Sequence, residues 1–321
     1  MDGASYRSSG GAVPGAAVHR PGPAADGSEV PWTIKRLLTW TAGFFERRGV
    51  DAPRLSAEML LAHVLGVPRI RLYMDYERVV GPAELAAYRE LVRRAAEQEP
   101  IAYLTGRAPF FSLELEVNPS VLIPRPETET LVEHAVELCR LGRVATPPRV
   151  LDLGTGSGAI ALAVASRLKS ATVVASDVSP QAVAVAKRNA ERLGLSDRVV
   201  FLIGDLFDAL EGTPEVRPFD LVLSNPPYIP TGDLAGLDRS VRDYEPGLAL
   251  DGGADGMAFH RRILQACELR LTAGGWVLLE MQYDQGPALR SLAGAMPFLT
   301  DVRVVKDNAG HDRVLMARRQ G

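Results

Sequence analysis

Residues 150–158 read Val-Leu-Asp-Leu-Gly-Thr-Gly-Ser-Gly, and an apolar segment, residues 159–168, follows at once. This order predicts a buried strand that runs into a glycine-rich turn, with a helix opening directly after the turn. Glycine tolerates positive φ angles and lets a ligand approach the backbone closely. The spacing is G-x-G-x-G rather than the G-x-G-x-x-G of dinucleotide-binding proteins. The stretch therefore predicts an α/β fold with a ligand site at the end of its first strand.

Strand and helix patterns alternate along the chain after Pro147 and Pro148, with helices predicted to begin near Ser157, Pro180 and Phe259. This alternation is typical of a doubly wound α/β domain with a mostly parallel sheet. The last two strand patterns flank the turn sequence Asp-Asn-Ala-Gly and predict an antiparallel hairpin at the sheet edge. The predicted strands are Arg149–Leu153, Thr172–Asp177, Val199–Gly204, Asp220–Ser224, Trp276–Met281, Val302–Val305 and Arg313–Ala317.

The predicted ligand site gains residues from the next two strands. Asp177 ends the second strand, where a carboxylate can accept hydrogen bonds from both hydroxyls of a ribose. Asp205 and Leu206 follow the third strand, where they can meet the amine and the ring of an adenine. A nicotinamide dinucleotide and S-adenosylmethionine both fit. The dinucleotide needs a second binding half that the sequence does not show, and the loop has no Lys or Arg for a pyrophosphate. We therefore predict S-adenosylmethionine, with S-adenosylhomocysteine as product, bound by Gly154, Thr155, Gly156, Ser157, Gly158, Asp177, Asp205, Leu206 and Asn225.

A second motif, Asn225-Pro226-Pro227-Tyr228, follows the fourth predicted strand. The side-chain oxygen of Asn225 and the carbonyl of Pro226 can each accept one N–H of a planar –NH2 group. Neither proline has a backbone N–H that competes for this carbonyl, and each proline stiffens the residue before it. Tyr228 offers a flat face to a planar substrate. The motif predicts a clamp that orients an amide or base nitrogen for in-line attack on a methyl group, with Asn225, Pro226 and Tyr228 as the catalytic residues.

The chain divides into four predicted regions. Residues 1–30, rich in Gly, Ala, Pro and Ser, are predicted to be a disordered tail. Residues 31–105 show helical spacing of apolar residues and predict a small bundle that recognises a partner. Residues 106–125 predict a β-hairpin linker, in which strands at 113–117 and 121–123 flank an Asn-Pro-Ser turn. Residues 126–321 predict the methyltransferase domain, which begins with a helix from Pro126 to Cys139.

Composition narrows the class of protein. The 321-residue chain is 46% hydrophobic and 23% charged, which predicts a globular protein of roughly two domains. Its net charge of −3 argues against a protein whose main binding partner is bare nucleic acid. The sequence shows no signal-peptide pattern and no apolar segment long enough to span a membrane. Its two cysteines lack metal-ligand spacing, so we expect a cytoplasmic protein with reduced thiols, no metal site and no membrane partner.

Further segments carry a resemblance to a known family. They are residues 99–106 (Glu-Pro-Ile-Ala-Tyr-Leu-Thr-Gly), 122–129 (Leu-Ile-Pro-Arg-Pro-Glu-Thr-Glu), 151–160, 224–229 (Ser-Asn-Pro-Pro-Tyr-Ile), 245–250 and 252–256 (Gly-Gly-Ala-Asp-Gly). With them the chain, over roughly residues 32–318, resembles the peptide chain release factor glutamine N5-methyltransferases (the PrmC/HemK family). The glycine loop and the Asn-Pro-Pro-Tyr motif occur in many N-methyltransferases, whereas residues 123–129 are much more specific to this family.

The resemblance implies the class I S-adenosylmethionine-dependent fold: a Rossmann-like, mostly parallel seven-stranded sheet with a C-terminal antiparallel hairpin, joined to an N-terminal helical bundle by a β-hairpin. It implies that the glycine loop and Asp177 bind the cofactor, and that the helical bundle touches a release factor. The residues that would hold the glutamine of a release factor's Gly-Gly-Gln motif are Asn225, Pro226, Pro227 and Tyr228, with Arg125 and Glu127 lining the site. Gln282 departs from the family, which usually has glycine there, and this places the local turn geometry in question.

Two other functions compete with this expectation. A nucleic-acid base N-methyltransferase, acting on adenine N6 or guanine N2, uses the same turn but is expected to carry a basic recognition domain. The N-terminal region balances arginines such as Arg69 and Arg93 with nearby acids and forms no basic stripe. The other is a non-catalytic cofactor-binding partner of the translation machinery, and the intact Asn225 together with the intact glycine loop argues against it. We expect a monomer that binds no nucleic acid directly.

Overall fold

The computed structural model describes residues 31–321; the predicted disordered tail, residues 1–30, lies outside the described residues. Five helices form the N-terminal region: α1 Ile34–Arg48, α2 Pro53–Leu65, α3 Arg69–Met74, α4 Pro82–Ala96 and α5 Ile101–Thr105. They pack around one apolar core that includes Leu38, Phe45, Leu60 and Tyr88. The predicted helical bundle is confirmed. α3 and α5 were not predicted, because helices of about one turn show too little of the 3.6-residue period to be recognised.

The hairpin that follows differs from its prediction. Strand β1, Arg107–Phe110, pairs antiparallel with β2, Leu113–Glu116, across the two-residue turn at Phe111 and Ser112. The predicted second strand at residues 121–123 is wrong, because that segment lies outside any strand. The predicted partner of that segment, Leu113–Glu116, is paired with β1 instead, and Pro124 and Pro126 cannot donate the hydrogen bonds that would extend a ladder beyond Ile123. Val121 is held instead by the Tyr103 hydroxyl, which donates to its carbonyl oxygen at 2.6 Å.

The C-terminal domain is built on one seven-stranded sheet with the order β5-β4-β3-β6-β7-β9-β8. Its strands are β3 Arg149–Leu153, β4 Thr172–Asp177, β5 Val199–Ile203, β6 Phe219–Ser224, β7 Leu271–Glu280, β8 Leu299–Lys306 and β9 Asp312–Arg319. The first five are parallel, and β9 pairs antiparallel with both β7 and β8. The predicted doubly wound sheet and its antiparallel C-terminal pair are confirmed.

Helices cover both faces of this sheet. They are α6 Glu129–Arg140, α7 Ala159–Arg167, α8 Pro180–Arg192, α10 Ala258–Arg270 and α11 Gly286–Gly294. The four-residue helix α9, Arg239–Arg242, lies in the connection after β6 and has no buried residue. Successive strand side chains point to opposite faces. Val150 and Leu221 pack in the core that includes residues of α6 and α7, whereas Leu151 and Val222 pack in the core that includes residues of α10 and α11. Among residues 31–321, no helix combines the length and apolar character needed to cross a bilayer.

The order of the strands determines where a ligand can bind. The chain builds outward from β3 through β4 to β5, and then returns to β6 on the other side of β3. A crevice opens at such a reversal, at the carboxyl ends of the strands. Leu153 of β3 lies opposite Ser224 of β6 in the register, so Gly154 and Asn225 are the first residues beyond the two strands that border the crevice.

Candidate active site

The glycine loop follows β3 directly and adopts a backbone that favours glycine. Gly154, Gly156 and Gly158 have φ angles of 70°, 55° and 84°. A Cβ at Gly154 or Gly156 would meet nothing within 4 Å, so positive φ is the constraint at these two positions. The loop is tied to its neighbour strand, since the Thr155 N–H donates to the Ser176 carbonyl oxygen at 2.9 Å. The result is a fixed, side-chain-poor surface over which a ligand can lie against the backbone.

Asp177 lies beside this loop, as predicted, and its carboxylate organises the loop. Oδ2 accepts the Gly156 N–H at 2.8 Å, and Oδ1 accepts the Ser179 N–H at 2.9 Å. Burial raises the pKa of Asp177 above its ordinary value, although these backbone hydrogen bonds lower it. Each carboxylate oxygen has a second lone pair. The side chain can therefore hold the loop and still accept hydrogen bonds from the two hydroxyls of a ribose.

Asp205 and Leu206 follow β5 and lie at the same carboxyl end of the sheet as Asp177. The Gly204 N–H donates to the Asp177 carbonyl oxygen at 3.0 Å, which places Asp205 next to the glycine loop's partner strand. The carboxylate of Asp205 pairs with Arg262 of α10 at 2.7 Å, a contact that sequence reasoning did not predict. Leu206 has a φ of 50°, which is unusual for a branched side chain and marks a tight turn. An adenine amine would have to share Asp205 with this arginine.

The Asn225 amide has a defined orientation at the other side of the crevice. Its Nδ2 group donates to Thr128 Oγ1 at 3.1 Å. Thr128 ends the short 3-10 turn Pro126–Thr128 before α6 and is 3% exposed. Since the amide N–H is directed towards Thr128, the side-chain oxygen of Asn225 is the atom left to accept an N–H from a substrate. Ser224, one residue earlier, fixes the end of β6 by donating to the Leu153 carbonyl oxygen at 2.7 Å.

Tyr228 is held by its hydroxyl and by its backbone. The hydroxyl donates to Glu280 Oε1 at 3.4 Å, and burial together with the Glu280 charge raises the pKa of Tyr228 above its ordinary value. A phenol with a raised pKa stays neutral at physiological pH. The carbonyl oxygen of Tyr228 accepts an N–H from Gln285 Nε2 at 3.0 Å. Tyr228 thus presents an uncharged ring whose position is fixed at both ends.

The glycines of residues 252–256 explain why this segment accompanies the Asn-Pro-Pro-Tyr turn. A Cβ at Gly252 would lie 2.7 Å from Tyr228 Cα, and a Cβ at Gly256 would overlap the Tyr228 carbonyl oxygen. The Ile229 N–H donates to the Leu250 carbonyl oxygen at 3.0 Å, and the Gly252 N–H donates to the Ile229 carbonyl oxygen at 2.8 Å. The glycine segment therefore packs backbone against backbone behind the turn and supports it.

Arg125 and Glu127 occupy different environments. Arg125 donates from Nη2 to Glu245 Oε1 at 2.5 Å, and the Glu245 side chain is only 2% exposed. The other carboxylate oxygen of Glu245 accepts the Ile123 N–H at 3.2 Å, so this pair clamps the segment before α6 to the chain beyond α9. Glu127 is exposed. The structure therefore shows how Arg125 supports the segment before α6, and the roles of Arg125 and Glu127 in lining the substrate site stay predictions.

Gln282, the departure from the family pattern, is accommodated without strain. It is not among the residues with positive φ, so the turn does not need glycine at this position. Its backbone N–H donates to Gln285 Oε1 at 3.1 Å, and the Gln285 N–H donates back to the Gln282 carbonyl oxygen at 3.0 Å. Gln285 thereby connects the turn after β7 to the Tyr228 carbonyl oxygen. Gln285 could not be predicted from the sequence. The only signal in this turn was Gln282, three residues earlier, which departs from the family pattern.

Replacing Asp177 with alanine is expected to weaken binding of S-adenosylmethionine by about 10²-fold. A carboxylate that accepts charge-assisted hydrogen bonds contributes roughly 1.5–3 kcal/mol for each one, and its loss also frees the Gly156 N–H. Isothermal titration calorimetry measures the change. The matched control is Asp197→Ala. Asp197 is an exposed aspartate just before β5, at the end of that strand away from Asp205, so this variant should bind S-adenosylmethionine normally. Equal affinity in the Asp177→Ala and Asp197→Ala variants would contradict the assignment.

Comparison with known proteins finds matching family models and similar sequences. A family model described as the PrmC N-terminal domain matches residues 36–106, and one described as a methyltransferase domain matches residues 148–260. A release factor glutamine methyltransferase of Rhodopirellula baltica is 43% identical over 290 residues, covering 90% of this chain and 97% of the relative. One of Geobacter sulfurreducens is 44% identical, covering 89% and 97%. A solved protein-(glutamine-N5) methyltransferase (release factor-specific) of Alicyclobacillus acidocaldarius is 31% identical, covers 64% of this chain and 99% of its own, and has a TM-score of 0.39.

Proposed function

The chain belongs to the release factor glutamine methyltransferase family, and from this membership we propose that it methylates the side-chain amide nitrogen of a release factor's glutamine. The methyl donor we propose is S-adenosylmethionine, and the acceptor is the glutamine of the Gly-Gly-Gln motif. The observation that supports the proposal is the hydrogen bond from Asn225 Nδ2 to Thr128 Oγ1, which leaves the amide oxygen of Asn225 as the atom to accept an N–H from a substrate. The chain is thus an enzyme of the protein-glutamine methyltransferase class.

The chemistry of an amide nitrogen explains why such a clamp is useful. Its lone pair is delocalised into the carbonyl, so the nitrogen is a poor nucleophile. Hydrogen bonds from its two N–H groups to the Asn225 oxygen and the Pro226 carbonyl would enrich the nitrogen and fix the direction of its lone pair. S-adenosylmethionine supplies, when bound, a methyl group activated by a sulfonium centre.

The residues around the clamp suit the spreading of positive charge that accompanies methyl transfer from a sulfonium. Pro226 is buried, and Tyr228 is neutral and held in place. A site lined by buried and uncharged groups stabilises a localised cation poorly, which favours a transition state in which the sulfonium charge is spread towards the attacking nitrogen. S-adenosylhomocysteine leaves as a neutral thioether, and the methylated nitrogen releases its extra proton to solvent afterwards. The glycine loop fits the donor because its glycines carry no side chains, its Thr155 and Ser157 are buried, and it lies beside a carboxylate with spare lone pairs.

We propose that the helical region, residues 31–105, contacts the release factor around the inserted loop. It is joined to the catalytic domain by a hydrogen bond from the residue before Glu245, the partner of Arg125. The Tyr244 hydroxyl, beyond α9, donates to the Glu97 carbonyl oxygen after α4 at 3.1 Å. That the protein is a cytoplasmic monomer with no direct nucleic-acid partner stays a prediction, as do the four predicted domain boundaries.

One labelling assay tests the proposed reaction. The protein is incubated with radiolabelled S-adenosylmethionine and a release factor, or with the same factor carrying alanine in place of the glutamine of Gly-Gly-Gln. We expect label on the first factor and background on the second, since the alanine variant lacks the acceptor nitrogen. Equal labelling of both factors would contradict the assignment of the glutamine. Label on added DNA or RNA, with none on the factor, would favour a base N-methyltransferase instead.

A further inference from the structure

One buried side chain joins the glycine loop to the hairpin β1–β2, and the mechanism described so far does not use it. Asn189 lies on α8 and is 0% exposed. Its Nδ2 group donates to the Ser157 carbonyl oxygen at 2.9 Å and to the Glu116 carbonyl oxygen at 3.0 Å. Its Oδ1 atom accepts the Glu116 N–H at 2.6 Å. Both amide hydrogens and the amide oxygen are therefore bound to the backbone of two segments that are distant in sequence.

The polarity of these partners fixes the orientation of the Asn189 amide. The Glu116 N–H can only donate, and the two carbonyl oxygens can only accept. A flipped amide would lose all three hydrogen bonds, so the network itself assigns the oxygen and the nitrogen. A buried amide whose hydrogen bonds are all made holds its neighbours in one arrangement.

The Ser157 carbonyl depends on Asn189 because its usual helical donor is directed elsewhere. In a continuous helix the N–H four residues later, that of Ala161, would donate to this carbonyl. The Ala161 N–H instead donates to Asp152 Oδ2 at 3.1 Å, and the same carboxylate oxygen accepts from the Thr155 hydroxyl at 2.7 Å. Two buried side chains, Asp152 of β3 and Asn189 of α8, therefore share the hydrogen bonding of the glycine loop where it enters α7.

The other end of this link reaches α5, the last helix of the helical region. The Val117 N–H donates to the carbonyl oxygen of Gly106, which ends α5, at 3.2 Å. Val117 is buried in one apolar cluster with Val185 of α8, and Tyr103 of α5 packs against this cluster. The end of β2 is therefore fixed to the helical region close to the point where Asn189 fixes it to the glycine loop.

We propose that Asn189 is a positioning residue, which sets the Ser157 carbonyl and thereby makes the shape of the cofactor loop depend on the hairpin. This inference rests on the proposed methyl donor. The glycines of the loop offer only backbone to a ligand, so the affinity depends on where that backbone lies. Without Asn189 the Ser157 carbonyl would be buried without this donor, and the loop would have to move to find another. A cofactor bound to the loop should in turn hold the hairpin in place, because such coupling is reciprocal.

Replacing Asn189 with aspartate tests the hydrogen bond and keeps the shape of the side chain. A carboxyl group can still accept the Glu116 N–H, but it has at most one hydrogen to give, and none when ionised. We expect the dissociation constant for S-adenosylmethionine, measured by isothermal titration calorimetry, to rise by about tenfold or more. Equal affinity of Asn189→Asp and the wild type would overturn the proposal, because packing alone would then explain the residue.

The matched control is Arg188→Met. Arg188, one residue earlier on α8, pairs with the Glu116 carboxylate at 2.7 Å at the protein surface. Its loss removes a contact between α8 and the hairpin and leaves Asn189 in place. Since exposed ion pairs contribute little, this variant should bind S-adenosylmethionine as the wild type does.

Hydrogen exchange tests the link in the wild type, so it decides the question even if Asn189→Asp folds poorly. The Glu116 N–H can exchange only after its hydrogen bond to Asn189 opens. If that opening also releases the glycine loop, S-adenosylmethionine at 100 times its dissociation constant should slow exchange at Glu116 by about 10–100-fold. The slowing should persist in Arg188→Met and disappear in Asn189→Asp. Exchange at Glu116 that does not respond to the cofactor in the wild type, or that slows equally in Asn189→Asp, would refute the role of Asn189.

Both measurements use the protein and S-adenosylmethionine without a release factor, so they separate this proposal from the proposed reaction. Failure of the wild type to methylate any release factor would contradict the proposed reaction alone. A wild type that does not bind S-adenosylmethionine in calorimetry would overturn both.

Discussion

The Asn225→Ala variant is expected to transfer methyl groups to a release factor about 10²–10³-fold more slowly than the wild type. The substitution removes an acceptor for the substrate N–H at the point where charge develops, and losing one such preorganised contact costs about 10²–10³-fold. It also frees Thr128 Oγ1, which now has no amide to accept from. Single-turnover labelling measures the rate of the chemical step, and calorimetry shows that the cofactor still binds.

Two further variants make this result interpretable. Asn308→Ala, in the exposed hairpin between β8 and β9, is the same substitution away from the site and should leave the rate unchanged. Asn225→Gln keeps the amide but moves it by one methylene, and a displacement of about 1 Å costs roughly 10²-fold. If Asn225→Ala keeps near-normal turnover, the amide clamp is wrong, whereas loss of cofactor binding would indicate a role in the donor site.

Much of the fold could be predicted because its sequence signals are local. The parallel strands are short runs of apolar residues bounded by Gly, Asp or Pro. The glycine-rich turn after β3 marks the end of the first of these strands. The hairpin between β8 and β9 has its own turn sequence. The hairpin β1–β2 was predicted with the wrong partner strand, because its turn at Phe111 and Ser112 carries no glycine, proline or asparagine. Phe111 adopts a φ of 58°, which no turn propensity would suggest.

The same distinction between local and long-range sequence signals decides which residues of the candidate site could be predicted. Gly154, Asp177 and Asn225 could be predicted because each directly follows or ends a recognisable strand. Thr128, Glu280 and Gln285 could not, because their partners are distant in sequence: Thr128 is 97 residues from Asn225, and Gln285 is 57 residues from Tyr228. The only available signal was an acid at the end of an apolar strand. A charge in that place marks either a solvent-exposed strand end or a buried functional group, and only the packing distinguishes the two.

Replacing Gly256 with alanine should impair both stability and activity, although the residue touches no proposed ligand. A Cβ there overlaps the Tyr228 carbonyl oxygen and would lie 2.7 Å from Gln285 Nε2, while φ is +71°. Backbone strain and overpacking together are expected to destabilise the domain by about 3 kcal/mol. That would lower the melting temperature by roughly 5–10 °C, measurable by calorimetry. Relief of the overlap must move the turn that carries Asn225 and Tyr228, so we expect about a 10²-fold loss of rate.

Comparison with two other glycines separates the causes of that loss. Gly252 has no positive φ, but a Cβ there would lie 2.7 Å from Tyr228 Cα, so Gly252→Ala tests the contact without the backbone strain. Gly247→Ala adds a methyl group where nothing lies within 4 Å and should behave as wild type. If Gly252→Ala and Gly256→Ala both lose activity at a temperature where they remain folded, the glycine segment acts by holding the Asn-Pro-Pro-Tyr turn in register. Full activity of folded Gly256→Ala would show instead that the turn keeps its geometry without this support.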